Sequence, residues 1–434
     1  MLDKFRETLS QFREAVYQVF GASRDAAFEL IDAIASSPHA RSAVEVSESP
    51  LMQRKYASVY KGLERTKIDE EQLRKVLTKQ ADESGELTVA GYVIQALDHT
   101  PYPRKSAPTV SDRGYVHGAD GNVIGHQYSL LGRVMYEKGA WVGVQDCTRI
   151  PTDQTPVKVG AEQIARLRQN SLRKHIVTAD CEYLTEDILD QADKRTELLI
   201  RLRSNRVFWC LPKPRRPSQR GPNCKHGRKF KLADARTHGK PDGKFTFNAD
   251  DGESVEITVF KNLHAQSHPD LHGCVIRVRA YCADGSRKFA RPIWLYWTGP
   301  HDMDWLTFWR VYLKRFCIES VHQFSKNSLA WTSARLGYTD REERWTWLVM
   351  LAYWQLLLSA PLADDAYRPW QKPMPPDRLP TPARVQRAYC LIFLLIGTPA
   401  LPPIPRGISP GRPLGYRPDP RPRFKVVIKS ANTT

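Results

Sequence analysis

The chain has no Cys-x-x-Cys pair, no acidic residue between 201 and 231, and no unbroken apolar run of ~20 residues. Each absence removes a class of protein. Eight scattered cysteines speak against a disulfide framework and against a conventional zinc site, since both need ligands at short fixed intervals. Cys224 and His226 lie close in sequence but would need two further ligands from distant residues, so free thiols in a reducing cytoplasm are expected. The most apolar stretch, 345–358, is shorter than the ~20 residues a span requires. It contains Gln355 and follows Glu342, Glu343 and Arg344, so a buried helix is expected and no membrane partner. The first residues are amphipathic and carry acids, unlike a secretion signal. Acids are scarce overall: 47 Asp and Glu against 65 Lys and Arg leave a net charge of +18. Such a field draws phosphate backbones and supplies sequence-independent nucleic-acid affinity.

What is present divides along the chain. Residues 1–85 read as a helical domain, with Leu2, Phe5, Leu9, Phe12, Val16 and Val19 on one helix face. Ser23 is the expected cap of a second helix, and Asp69 with Gln72 forms a capping-box pattern for a third. DNA binding and simple packing are equally open for this part. Residues 86–200 read as the first part of an α/β core. The run 87–97 suits a central strand closed by Asp98, with further strands at 122–135, 141–144 and 198–207. A helix at 161–167 leads into a short buried strand, 175–179, ended by Asp180, and 184–192 looks helical.

Residues 201–300 read as a basic, β-rich insertion. Eleven Lys or Arg fall within 201–231, among them Arg215, Arg216, Lys225, Arg228 and Lys229, and the lack of acids favours phosphate contact over a merely solvated loop. Two long helices, 302–327 and 340–360, follow in the segment 301–365. The last segment, 366–434, ends in a Pro- and Arg-rich stretch that is expected to be an extended, disordered basic tail. Within it Ser409-Pro-Gly-Arg-Pro413 is similar to short arms that enter the DNA minor groove.

The helix expected near 312 carries Tyr312-x2-Arg315-x3-Glu319-x6-Lys326. On one continuous helix, steps of three, four and seven place all four side chains within about 60° of arc, in a row ~21 Å long. A carboxylate flanked by cations on one stripe suits metal-assisted phosphoryl transfer. This spacing resembles the signature of a cut-and-paste branch of bacterial insertion-sequence transposases of the DDE type. Asp98-His-Thr-Pro and Ala179-Asp180-Cys-Glu-Tyr183 are similar to the first and second acidic motifs of that branch, and Ser204-Asn-Arg206 and Lys225-His-Gly227 look like one subgroup of it.

The resemblance implies an RNase H-like mixed-sheet core with a β insertion, and catalytic acids Asp98, Asp180 and Glu319 holding two Mg²⁺ or Mn²⁺ ions. It implies that Tyr312, Arg315 and Lys326 grip the DNA end, and that Trp294 or Trp297 stacks on a flipped base, although core packing is the alternative for these rings. His99 could orient Asp98 or simply occupy a turn. Asp146 and Asp120 remain alternatives to Asp98, and Glu182 to Asp180. The implied activity is DNA cleavage and strand transfer by a DNA-bound homodimer in a bacterial cytoplasm, associated with the nucleoid. An RNase H-like endonuclease that does not join, or an inactive DNA-binding derivative, is the alternative. Independently of the resemblance, metal-pair catalysis needs clustered carboxylates on rigid elements, and oxygen ligands suit hard cations.

Overall fold

The computed structural model describes residues 2–118, 121–214, 221–248, 252–301, 304–405 and 411–428. Along the chain come α1 (Leu2–Val19), α2 (Arg24–Ser36), α3 (Ala43–Val46), α4 (Ala57–Arg65) and α5 (Glu70–Ser84). Then follow β1 (Thr88–Val89), β2 (Tyr92–Pro103), β3 (Gly114–Gly118), β4 (Gly121–Val134), β5 (Val142–Ile150), α6 (Pro156–Asn170), β6 (Lys174–Ala179) and α7 (Glu186–Leu189). The next strands are β7 (Thr196–Leu202), β8 (Val207–Cys210), β9 (Lys229–Lys231), β10 (Gly243–Asn248), β11 (Ser254–His264), β12 (Gly273–Tyr281) and β13 (Ile293–Trp297). The last helices are α8 (Trp305–Lys314), α9 (Cys317–Ser328), α10 (Thr339–Ser359) and α11 (Pro382–Ile396).

Two compact units result. One joins residues 1–86, 99–159 and 317–434; the other joins 87–98 and 160–316. The amino-terminal helices therefore fold together with the end of the chain rather than as a separate domain. Strand β2 gives its first half to one unit and its second half to the other.

In the first unit α10 is the axis of the core. It is buried along its length from Trp345 to Ser359 and packs against α1, α2 and α11. Continued to Leu362, it is the one helix among the described residues long and apolar enough to cross a bilayer, yet 89% of its apolar window is buried inside the fold. This is the core helix expected at 345–358. Its polar residues are matched: the Arg13 guanidinium reaches Asp32, Tyr389 and Gln355 in a buried cluster. Glu342 meets Arg104 and, at 3.1 Å, His126 Nδ1. Burying charge demands such pairing. Strands β3, β4 and β5 pair antiparallel beside this helical layer.

In the second unit the strand order is β2–β6–β7–β13–β12–β11–β8–β9, with β10 on β11. Strands β2, β6 and β7 run parallel, and β7 to β13 and beyond are antiparallel. A mixed sheet with flanking helices is the architecture expected of an RNase H-like core, and the antiparallel part is the expected β-rich insertion. On α6, Gly160 allows a close approach: a Cβ there would stand 3.0 Å from Leu97 Cδ2 and from Tyr183 Cε1.

Several local expectations are corrected. The run 87–97 is not one strand: Ala90 (φ 48) and Gly91 (φ 80) make a tight hairpin between β1 and β2, because two successive positive φ values match strand twist. Asp98 does not close its strand, which continues to Pro103. The helix expected at 184–192 shrinks to α7, and the strand 198–207 splits into β7 and β8. Ser23 sits at φ 60 and makes no side-chain cap, whereas Asp69 caps α5 by accepting from Gln72 N at 3.0 Å. The tail is not wholly detached either: Phe424 N donates to Pro108 O at 2.8 Å and Val427 N to Arg113 O at 2.7 Å. All eight cysteines are free; Cys224 is exposed, and His226 stacks on His264 and Trp209.

Candidate active site

Three adjacent parallel strands deliver the site. The β2–β6 register pairs Ala96 with Thr178; two residues further on each strand lie Asp98 and Asp180. The β6–β7 register pairs Ala179 with Ile200; one residue further lie Asp180 and Arg201. Asp98, Asp180 and Arg201 thus occupy one line across three strands, at the ~4.8 Å spacing of neighbouring strands. Beneath them the strands are locked by buried polar groups, Thr178 Oγ1 donating to Gln95 O at 2.8 Å and Gln95 Nε2 meeting His175 Nδ1 at 3.2 Å.

Cations face both acids. Arg201 lies 3.7 Å from the Asp180 carboxylate, with both side chains about two-fifths exposed. Arg315 lies 4.0 Å from the Asp98 carboxylate and is 5% exposed. Tyr312 is fully buried. Burial raises its phenol above the usual range, Arg315 and Arg201 oppose the rise, and Asp180 adds to it. Its hydroxyl therefore sits in the field of these three groups and stays protonated at neutral pH. On the exposed side the Arg203 guanidinium is raised above its usual range, by Cys181 first and more weakly by Glu182 and Asp180.

The single stripe expected for Tyr312, Arg315, Glu319 and Lys326 does not form. The helix starts at Trp305, after Asp304 caps it through Thr307 N at 2.9 Å, and stops at Lys314. Arg315 N and Phe316 N bond back to Tyr312 O and Leu313 O, three residues away, and this tighter winding breaks the four-residue repeat before α9 begins. Tyr312 and Arg315 belong to the unit that holds Asp98 and Asp180, while Glu319 and Lys326 belong to the other. Glu319 is exposed in the first turn of α9. Lys326 donates to Thr100 Oγ1 at 2.6 Å, two residues after Asp98 on the continuation of β2. Among the described residues, no three His, Cys, Asp or Glu side chains gather closely enough to hold a metal ion.

The remaining expectations divide. Asp146 is spoken for by Arg74 at 3.1 Å, Asp120 lies outside the described residues, and Glu182 is exposed on the turn after β6. Trp294 and Trp297 are buried. Trp297 packs on Phe308 and donates to Pro300 O, and Trp294 packs on His238 and Phe260. Both rings are core, and base stacking by either is corrected accordingly. Lys225, Arg228 and Lys229 are exposed, as phosphate contact requires; Arg215 and Arg216 lie outside the described residues. Arg201 and Arg203 were not singled out from the sequence. Their signal was present: the strand that follows Asp180 ends on the first cations of the basic run.

Carboxylate oxygens are the donor type that a hard divalent cation takes. Asp98 and Asp180 present carboxylate oxygens from neighbouring strands, and Asp180 Oδ1 is buried without a hydrogen-bond partner, as a carboxylate reserved for a metal would be. Comparison with known families gives two matches. Residues 15–130 match the family described as DDE superfamily endonuclease, and residues 144–355 match the transposase DDE domain. No curated protein sequence matches the chain. Proteins with such domains typically use divalent metal ions.

Proposed function

We propose that this chain, whose residues 144–355 match the transposase DDE domain, cuts and joins DNA at the ends of an insertion sequence, with Asp98, Asp180 and Glu319 as its acidic set. The observation that carries this reading is the row Asp98, Asp180, Arg201 on three parallel strands, with Arg315 facing Asp98. Glu319 is assigned by its motif. Two Mg²⁺ or Mn²⁺ ions held by these acids would activate the attacking oxygen and neutralise charge on the scissile phosphate.

The chain's own groups have defined tasks. In the first step a water oxygen bonds to phosphorus in line as the phosphorus–3′-oxygen bond breaks, and the freed oxygen takes a proton to become a 3′-hydroxyl. In the second that hydroxyl attacks another phosphodiester, one P–O bond forming as one breaks. Arg201 and Arg315 hold positive charge where the phosphate gains negative charge, and in a partly dry site this outweighs its value in water. Tyr312, kept protonated, donates a hydrogen bond there. Lys326 and the exposed Lys225, Arg228 and Lys229 hold the DNA backbone, and Arg215 and Arg216 extend that basic run. Joining needs two ends at once, so the working form is a homodimer on DNA, in the nucleoid of a bacterial cytoplasm.

The test supplies purified protein with Mg²⁺ or Mn²⁺, a pre-cut 3′-OH end and a target plasmid. Insertion of the end supports transposition. Nicking without insertion supports the second reading, an endonuclease, which the match at 15–130 favours. Neither activity in any metal leaves an inactive DNA-binding derivative.

A further inference from the structure

We propose that residues 411–425 form a basic strap that grips the phosphate backbone of duplex DNA, and that it works because its carboxy-terminal end is tied down. Earlier in the chain, Leu401 N donates to Asp25 Oδ1 at 3.0 Å and Arg54 donates to Leu401 O at 2.8 Å. At the carboxy-terminal end, Phe424 N donates to Pro108 O at 2.8 Å, Arg113 Nη2 to Phe424 O at 3.0 Å, and Val427 N to Arg113 O at 2.7 Å. Val427 also bridges Gly114 in parallel fashion at the edge strand β3. All of these groups belong to one compact unit.

The strap carries charge mostly of one sign. Every residue from 411 to 425 is exposed. Arg412, Arg417, Arg421, Arg423 and Lys425 face a single acid, Asp419. The strap turns at 413–416, where Tyr416 N donates to Pro413 O at 3.1 Å; beyond the turn Pro418, Pro420 and Pro422 remove backbone donors and favour an extended path at ~3.1 Å per residue, so Arg421 and Arg423 stand ~6 Å apart. Arg412 lies 5.4 Å from the Tyr416 ring and Arg421 5.6 Å from that of Tyr338. A strap fastened at its carboxy-terminal end has already lost part of the freedom a loose arm would lose on binding, so more of its charge attraction appears as affinity. A polyanion of regular phosphate spacing is the partner this chemistry fits.

This inference rests on DNA being the substrate, and two variants test it. With the four-fold variant R412Q/R417Q/R421Q/R423Q and a short duplex lacking any element sequence, the slope of log affinity against log salt should become shallower by about 3. An unchanged slope overturns the proposal, and so does a larger loss on single-stranded RNA than on the duplex. V427P removes the donor to Arg113. It should speed trypsin cleavage after Arg423 and lower duplex affinity several-fold with the slope retained; undiminished affinity alongside faster cleavage overturns the role of the fastening. If the parent chain lacks nicking, the proposed reaction fails while the strap is still measured by binding.

Discussion

Arg201 extends its guanidinium to within 3.7 Å of the Asp180 carboxylate, from the strand position beside it. If Asp180 holds a metal as proposed, a cation beside it competes with the metal and, once the metal is in place, is left facing phosphate. Arg201→Gln should therefore bind Mn²⁺ more tightly in a calorimetric titration yet nick DNA roughly 10²-fold more slowly, with part of the rate restored in Arg201→Lys. Unchanged metal affinity and rate would reduce Arg201 to a surface residue.

Asp98→Asn, Asp180→Asn and Glu319→Gln should each lower metal-dependent nicking by roughly 10³-fold or more, since members of one catalytic set fail together. Duplex affinity in gel shifts should hold or rise as negative charge is removed. A wild-type nicking rate in Glu319→Gln would remove that residue from the set.

In the helical core, Arg13 and Asp32 are both almost fully buried. Arg13→Met strands a buried carboxylate and should cost about 3–5 kcal/mol, whereas replacing both partners with apolar residues should recover most of that loss. Thermal melts of the single and double variants decide it, and equal melting temperatures for parent and Arg13→Met would contradict it.

The Asp112 carboxylate is lowered below 3.8 in the fold. Burial alone would raise it, but hydrogen bonds from Thr152 and Arg149 outweigh that effect. A depressed acid contributes stability that is present above its unfolded value and lost as pH falls through the folded one. The urea midpoint of the parent should thus drop more steeply below pH 4 than that of Asp112→Asn; parallel curves would show that Asp112 adds nothing.

Legibility in the sequence followed the range of the interaction. The apolar run ending in Asp180, the alternating strands of the insertion and the helix at 340–360 are local patterns, and each is found where the sequence puts it. The Ala90-Gly91 hairpin was readable as a turn but was hidden inside a β-branched run. The break at Arg315 and Phe316 was not readable, because nothing between Trp305 and Ser328 is a helix breaker. The site is similar: Asp180 was visible as an acid after a buried strand and Asp98 as an acid following an apolar run, though its strand continues past it, but Arg201 emerges only from the register between strands. Burial of Trp294 and Trp297 likewise depends on partners such as His238 and Phe308, far off in the chain.

The path of the chain crosses between the two compact units at 86/87, 98/99, 159/160 and 316/317. On the ribosome this orders events: Arg13 emerges early, yet Tyr389, its partner at 3.0 Å, is made 376 residues later. The faces that α1 and α2 present to α10 and α11 must wait until those helices are made, so nascent chains should lean on holding factors, and fragments ending before α10 should be insoluble.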